Sequence, residues 1–254
     1  EKKWNDIKIV IEYGMLSEDK FFDKAENFAL YPTTDGEYFT FEELKEAVKE
    51  HQTDKEDKLV LLYASDVEEQ HSFIKQAKNK GYKVLLLNSP IIGHLIQKLE
   101  GSKETVSFVR VDGDTIENLI KKEEASVSKL TEEEKETLKP MIENVVKEGG
   151  YTVQMEAMDS QALPFVLTQP EFMRRMKEMQ QTGGGGMMMG DMPDMYTLTV
   201  NTNHELVGQI LSTKTAKKRE RLIQQAVDLA RLSRNLLKGE ALTAFIQRSV
   251  ELIK

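Results

Sequence analysis

No cysteine occurs in this chain. Disulfide cross-links and thiol catalysis are therefore excluded, and a reducing compartment is compatible. Long apolar runs are missing too. Residues 59–64 form one of the longest, far short of the roughly 20 needed to cross a bilayer. An excess of positive charge is also lacking: 35 Lys and Arg stand against 43 Asp and Glu, a net charge of −8. That balance suits a soluble protein and argues against wholesale nucleic-acid binding. No leader-like pattern precedes the first helical segment, and the opening at Glu1 reads as part of a longer protein.

Motifs of catalysis are equally sparse. A phosphate-binding strand needs a glycine-rich turn after it, yet residues 59–64 lead into Ser65-Asp66 and residues 82–87 into Asn88-Ser89-Pro90. Gly185 and Gly190 have phosphate-loop spacing, but Asp191-Met192 follows where lysine and a hydroxyl are needed. His51, His71, His94 and His204 are scattered, with no partner at metal-ligand spacing, so each reads as a surface histidine. Glu132, Glu133, Glu134 and Glu136 complement a helix start rather than hold a metal. Lys214, Lys217, Lys218, Arg219 and Arg221 lack interleaved aromatics and read as a solvated helix start. No catalytic or metal-ligating residue is expected.

What the chain does have is methionine in one place. Of its 12 methionines, Met173, Met176, Met179, Met187, Met188, Met189, Met192 and Met195 fall within 26 residues of Pro170 to Met195, around four glycines at 183–186. Methionine is unbranched and polarizable, so a surface built from it adapts to varied apolar partners. Thr168 with Glu171, and Pro170 between them, predict a capped helix start. Phe172, Met173, Met176 and Met179 then share one side, with Arg174, Arg175, Lys177 and Glu178 on the other. Two readings stand, an exposed binding helix and a packed core helix. The glycines, costly to order, favour the exposed one.

Around that segment the pattern predicts a mixed α/β chain in three parts. Residues 1–54 form a small helical segment, with a capping box at Thr40 and Glu43. Residues 55–127 alternate short apolar strands (58–64, 82–87, 105–111) with helices (67–80, 91–99), which predicts a three-layer αβα segment with a short parallel sheet. Residues 128–254 form an α+β domain. Thr131 and Glu134 cap its first helix, Pro140 kinks or restarts it, and strands follow at 151–158 and 196–201. Helices at 216–237 and 242–253 end it in a hairpin that packs either on the preceding sheet or on the same hairpin of another copy.

Tyr13-Gly14-Met15-Leu16-Ser17-Glu18-Asp19-Lys20, Val84-Leu85-Leu86-Leu87 and Pro170-Glu171-Phe172-Met173-Arg174-Arg175-Met176-Lys177, followed by the two last helices, occur in a specific order. In that order the chain resembles the C-terminal half of the 90-kDa heat-shock chaperone family, in its bacterial type, over essentially its whole length. The resemblance implies a cytoplasmic, ATP- and magnesium-dependent chaperone in the full-length protein, with the nucleotide domain absent here and no cofactor held by this part. It implies the end of a middle domain followed by a C-terminal dimerization domain. Phe172, Met173, Met176 and Met179 would touch unfolded or partly folded client proteins. Leu236, Leu237, Leu242, Phe245, Ile246, Ser249, Val250 and Ile253 would form a homodimeric four-helix bundle. A second family client surface follows residues 84–87, where this chain departs by reading Ile91-Ile92-Gly93-His94 in place of an acidic residue and an aromatic. Ending at Lys254 without the acidic tail of cytosolic eukaryotic relatives, the chain is expected to lack tail-dependent helical-repeat co-chaperones, and neither nucleic acid nor membrane is expected as a partner. The alternatives are a small-molecule enzyme, with its site near Ser65, Asp66, Asn88 and Ser89, and a membrane-inserting glycine–methionine loop.

Overall fold

The computed structural model describes residues 3–122, 126–147, 150–182 and 195–253, with the side chains of 178–182, 252 and 253 outside that description. The chain forms two compact units, Glu1–Glu123 with Glu171–Pro193, and Glu124–Pro170 with Asp194–Lys254. The two segments expected at 1–54 and 55–127 share one unit, and a piece of the third region joins them.

The first unit opens with α1 (Trp4–Ser17) and α2 (Asp19–Ala25). A Cβ on Gly14 would lie 2.7 Å from the Phe21 ring, so a glycine at this point lets α2 fold back closely on α1. A two-residue antiparallel pair, β1 (Tyr31–Pro32) and β2 (Tyr38–Phe39), leads to α3 (Phe41–Gln52). At its start the expected capping box forms: the Thr40 N–H donates to Glu43 Oε2 at 2.8 Å.

Then comes the alternating core: β3 (Leu59–Ala64), α4 (His71–Asn79), β4 (Val84–Leu86), α5 (Ile92–Ser102), β5 (Val106–Arg110) and the short α6 (Ile116–Leu119). The sheet is wholly parallel in the order β4-β3-β5. Every residue of β3 is buried, the pattern of a strand covered on both faces. Leu59, Leu61 and Tyr63 join the large core with Phe41, Leu44, Leu95, Ile96 and Leu99. The alternate residues Val60, Leu62 and Ala64 point to the other face. The strands match the sequence pattern within two residues. Helix α4 starts later than expected because residues 65–70 form a turn instead, and it stops before Gly81, whose φ of +79° suits glycine.

The second unit contains α7 (Glu132–Val146), which runs through Pro140 without a restart, then β6 (Tyr151–Glu156) and β7 (Phe165–Thr168). Helix α8 (Glu171–Thr182) belongs to the first unit, although the chain up to Pro170 and from Asp194 on belongs to the second. Strand β8 (Tyr196–Asn201), α9 (Glu205–Ser212), α10 (Ala216–Leu232) and α11 (Gly239–Ile253) complete the second unit. Its sheet has the order β6-β8-β7, with β6 parallel and β7 antiparallel to β8. Leu138, Ile142, Phe165, Leu198, Val207, Ile210, Ile223 and Val227 fill its core. The hairpin therefore does pack within its own chain, through α10.

Candidate functional site

A parallel sheet in the order β4-β3-β5 has a topological switch at the carboxyl ends of β3 and β5, where α/β enzymes place ligands. Here that crevice is occupied by side chains. Gln70, 3% exposed, accepts from the Ser65 and Asp66 N–H groups at 2.8 and 3.0 Å and donates to Asp112 at 2.8 Å. Arg110 grips the same carboxylate with two bonds, at 2.5 and 3.0 Å. The Ser65 and Asp66 amides, which follow β3, are thus already committed.

The sheet's open edge is more informative. Strand β5 has β3 on one side only, so the outward backbone groups of Phe108 need partners. Glu100 of α5 accepts from the Phe108 N–H at 2.7 Å, and Arg175 of α8 donates to the Phe108 carbonyl. Arg175 also grips Glu100 at 2.7 Å and Glu171 at 2.7 Å. Arg174, only 5% exposed, pairs with Glu171 at 2.6 Å, donates to the Tyr63 hydroxyl and lies over the Tyr63 ring at 5.7 Å. Tyr63 in turn donates to Glu171 Oε1 at 2.9 Å. We call this set the clasp.

Its electrostatics are those of a dry, paired network. Burial alone would raise the Glu171 carboxyl, but the Arg174 and Arg175 guanidiniums outweigh it and hold the group below its ordinary value. Burial works against the Arg175 charge as well, yet Glu100 and Glu171 more than compensate and raise it. Burial, then the neighbouring Glu171 charge, push the Tyr63 hydroxyl up.

Glu171, Arg174 and Arg175 occupy one stripe of α8. At about 100° per residue, Phe172, Met173 and Met176 lie on the opposite side. Phe172 is 71% exposed, and Met173 and Met176 are half-buried. Met179 lies outside the described side chains. The helix expected to be either an exposed binding helix or a packed core helix is docked by its charged face and leaves Phe172 exposed. The expected cap does not form either. Thr168 is a buried β7 residue paired with Thr197, and Glu171 is the first residue of the helix, its carboxylate directed to the arginines and Tyr63. Helix α5, which begins after Ile91 and includes the Gly93-His94 departure, packs beside α8.

The terminal hairpin divides the other residues singled out from sequence. Leu237 and Phe245 are buried within the chain, and Leu236, Leu242 and Ser249 are half-buried. Ile246 and Val250 are 52% and 48% exposed, while the Ile253 side chain lies outside the description. Buried Asp228 receives Arg248, and Gln225 donates to Ser249 at 2.9 Å, joining α10 to α11. Leu229 and Leu232, at 47% and 39% exposure, add an apolar stripe on α10. The basic cluster at the start of α10 borders a groove of about 480 Å³, lined by Lys217, Lys218, Arg221, Leu222, Arg248 and Glu251. Arg221 pairs with Glu251 across it at 2.6 Å.

The model of the Hsp90 protein family matches residues 1–239. The chain belongs to the Hsp90 family. It is 34% identical to the chaperone protein HtpG of Bacteroides fragilis, of Bacteroides thetaiotaomicron and of Porphyromonas gingivalis, each match covering 100% of this chain and 47% of the relative. The chain thus spans about half the length of these Hsp90-family relatives. Tyr63, Glu100 and the role of the arginines escaped the reading of this Hsp90-family sequence. The available signal was a pair of adjacent arginines opposite an apolar stripe, but their partners outside the helix lie 67 to 111 residues away. Among the described residues no helix is long and apolar enough to cross a membrane.

Proposed function

We propose that this chain is the client-binding and self-associating part of a bacterial, cytoplasmic Hsp90-family chaperone. One observation carries the client reading. Helix α8 is fixed by its charged stripe, which turns Phe172 outward with Met173 and Met176 beside it. An aromatic anchor flanked by flexible thioethers suits apolar segments of no fixed sequence. Binding is non-covalent. Nucleotide chemistry, expected with magnesium in the full-length protein, is assigned in this reading to parts outside this chain, and the use of the Ser65 and Asp66 amides by Gln70 supports it. The enzyme alternative loses support for the same reason.

The homodimer reading rests on Leu229, Leu232, Ile246 and Val250, which leave apolar stripes on both helices of the hairpin. Two copies related by a two-fold axis would bury these stripes in a four-helix bundle. The test separates the two roles. A Phe172→Ser, Met173→Ser, Met176→Ser variant should bind a fluorescent unfolded protein more weakly by anisotropy and keep its mass in sedimentation. An Ile246→Ser, Val250→Ser variant should shift toward monomer. Unchanged client affinity in the first variant removes the client role of the stripe, and unchanged mass in the second removes the hairpin interface.

A further inference from the structure

Amphipathic helices normally bury the apolar face and leave charge in water. Helix α8 does the reverse. Its arginines find acceptors on the first unit that an apolar face could not satisfy: the Tyr63 hydroxyl, the Glu100 carboxylate and the Phe108 carbonyl on the open edge of β5. Arg175 reads that edge in two ways. It donates to the Phe108 carbonyl and grips the carboxylate that accepts the N–H of the same residue. The guanidinium fork fixes rotation about the helix axis as well as position, since several donors must meet acceptors held by different elements.

The covalent path adds a second observation. Thr168 of β7 lies opposite Thr197 of β8, so the chain leaves and re-enters the second unit's sheet at neighbouring positions. Between them runs an excursion whose helix belongs to the first unit. Anchored only by its ends, α8 would be free to roll and bury Met173 and Met176 itself.

We infer that Glu171, Arg174 and Arg175, with Tyr63 and Glu100, are positioning residues that hold α8 with its apolar face presented. They touch no client. They set the population of the presenting orientation. The inference rests on the client reading given above and assigns the orientation of that surface to the clasp.

The absence of cysteine makes the test direct. Phe172→Cys and Met176→Cys are introduced singly, and thiol labelling rates are compared with and without Arg175→Gln. With the clasp intact, the thiol at position 172 should react faster than the thiol at position 176. Breaking it should bring the two rates within about twofold as the helix samples other orientations. Glu100→Gln, a milder change on another helix, should act in the same direction. Client affinity of Arg175→Gln and Glu100→Gln, measured without the added cysteines, should fall about tenfold if the presenting population falls to about a tenth. The double variant should lose no more than the larger single loss. Circular dichroism and the unfolding midpoint verify that each protein is folded; if Arg175→Gln is not, Glu100→Gln carries the test. A preserved ratio of labelling rates overturns the clasp as the orienting device. Converging rates with unchanged client affinity overturn its part in binding. Failure of the serine variants to weaken binding would instead remove the client reading while the labelling result still reports on orientation.

Discussion

Helix α8 and the α10–α11 hairpin are both strongly amphipathic, yet they bury opposite faces. Helix α10 inserts Ile223, Ala226, Val227 and Ala230 into the core of its unit. Helix α8 directs Glu171, Arg174 and Arg175 inward and keeps Phe172 in solvent. Amphipathicity therefore states that a helix has two faces without stating which one docks. The partner surface decides. Beneath α10 lie the apolar side chains of β7 and α7. Beneath α8 lie a tyrosine hydroxyl, a carboxylate and the free backbone of an edge strand, and leaving these buried and unpaired would be costly.

The comparison can be broken first at its apolar end. Ile223→Ala should destabilise the second unit by about 4 kcal/mol, the scale for truncating a fully buried isoleucine, read as a lower urea midpoint. Arg174→Ala leaves the Glu171 charge without its closest guanidinium and should weaken α8 docking by roughly 3 kcal/mol, read as faster amide exchange in α8. A midpoint shift that spreads to the second unit would count against the division drawn between the two helices.

Two glutamates sharpen the electrostatic side. Glu171 is held below its ordinary value of 4.5, so its contribution is present above that pH and is lost as pH falls through the lowered folded value. Glu12, buried in α1, is the opposite case. Burial is the main cause of its raised value, with Ser89 and Lys8 opposing, and its Oε2 meets no hydrogen-bond donor among the described residues. Its protonated form is favoured by folding, so that contribution is present below 4.5 and is lost as pH rises through the raised folded value. Glu12→Gln should therefore stabilise the first unit at neutral pH, on the order of 1 kcal/mol, by urea titration. The same substitution at Glu171 should loosen α8. The smallest effect on stability belongs to Phe172→Ser, within about 0.5 kcal/mol, since its ring is largely in solvent. If Phe172→Ser lowers stability markedly, the outward assignment of that face is wrong.

Much of the fold was legible because it rests on local signals. Six apolar residues in a row at 59–64 mark a strand covered on both faces, the capping box at Thr131 forms with both of its bonds, and at Thr40 the Glu43 carboxylate accepts the backbone N–H. Strand β7 and helix α9 were not singled out; four residues of strand or eight of helix give a pattern too short to separate from its surroundings. The Thr168–Glu171 box misled because its spacing was right while the threonine was already committed to a sheet. The core of the alternating segment continues into Met15, Phe22 and Phe41 from the first 54 residues, contacts that no local pattern could show.

The candidate site divides in the same way. Sequence alone placed Phe172, Met173 and Met176 on one face of a helix and the arginines on the other, because helical period is a local property. It also determined the family, through the order of motifs along the chain. Only the tertiary structure decided which face is held down, because Tyr63, Glu100 and Phe108 come from distant parts of the chain and meet α8 only after β3, α5 and β5 have assembled. It likewise moved Leu237 and Phe245 inward and left Leu229, Leu232, Ile246 and Val250 at the surface. A helical wheel gives the angle between residues, but the zero of that angle is set by whatever the helix packs against.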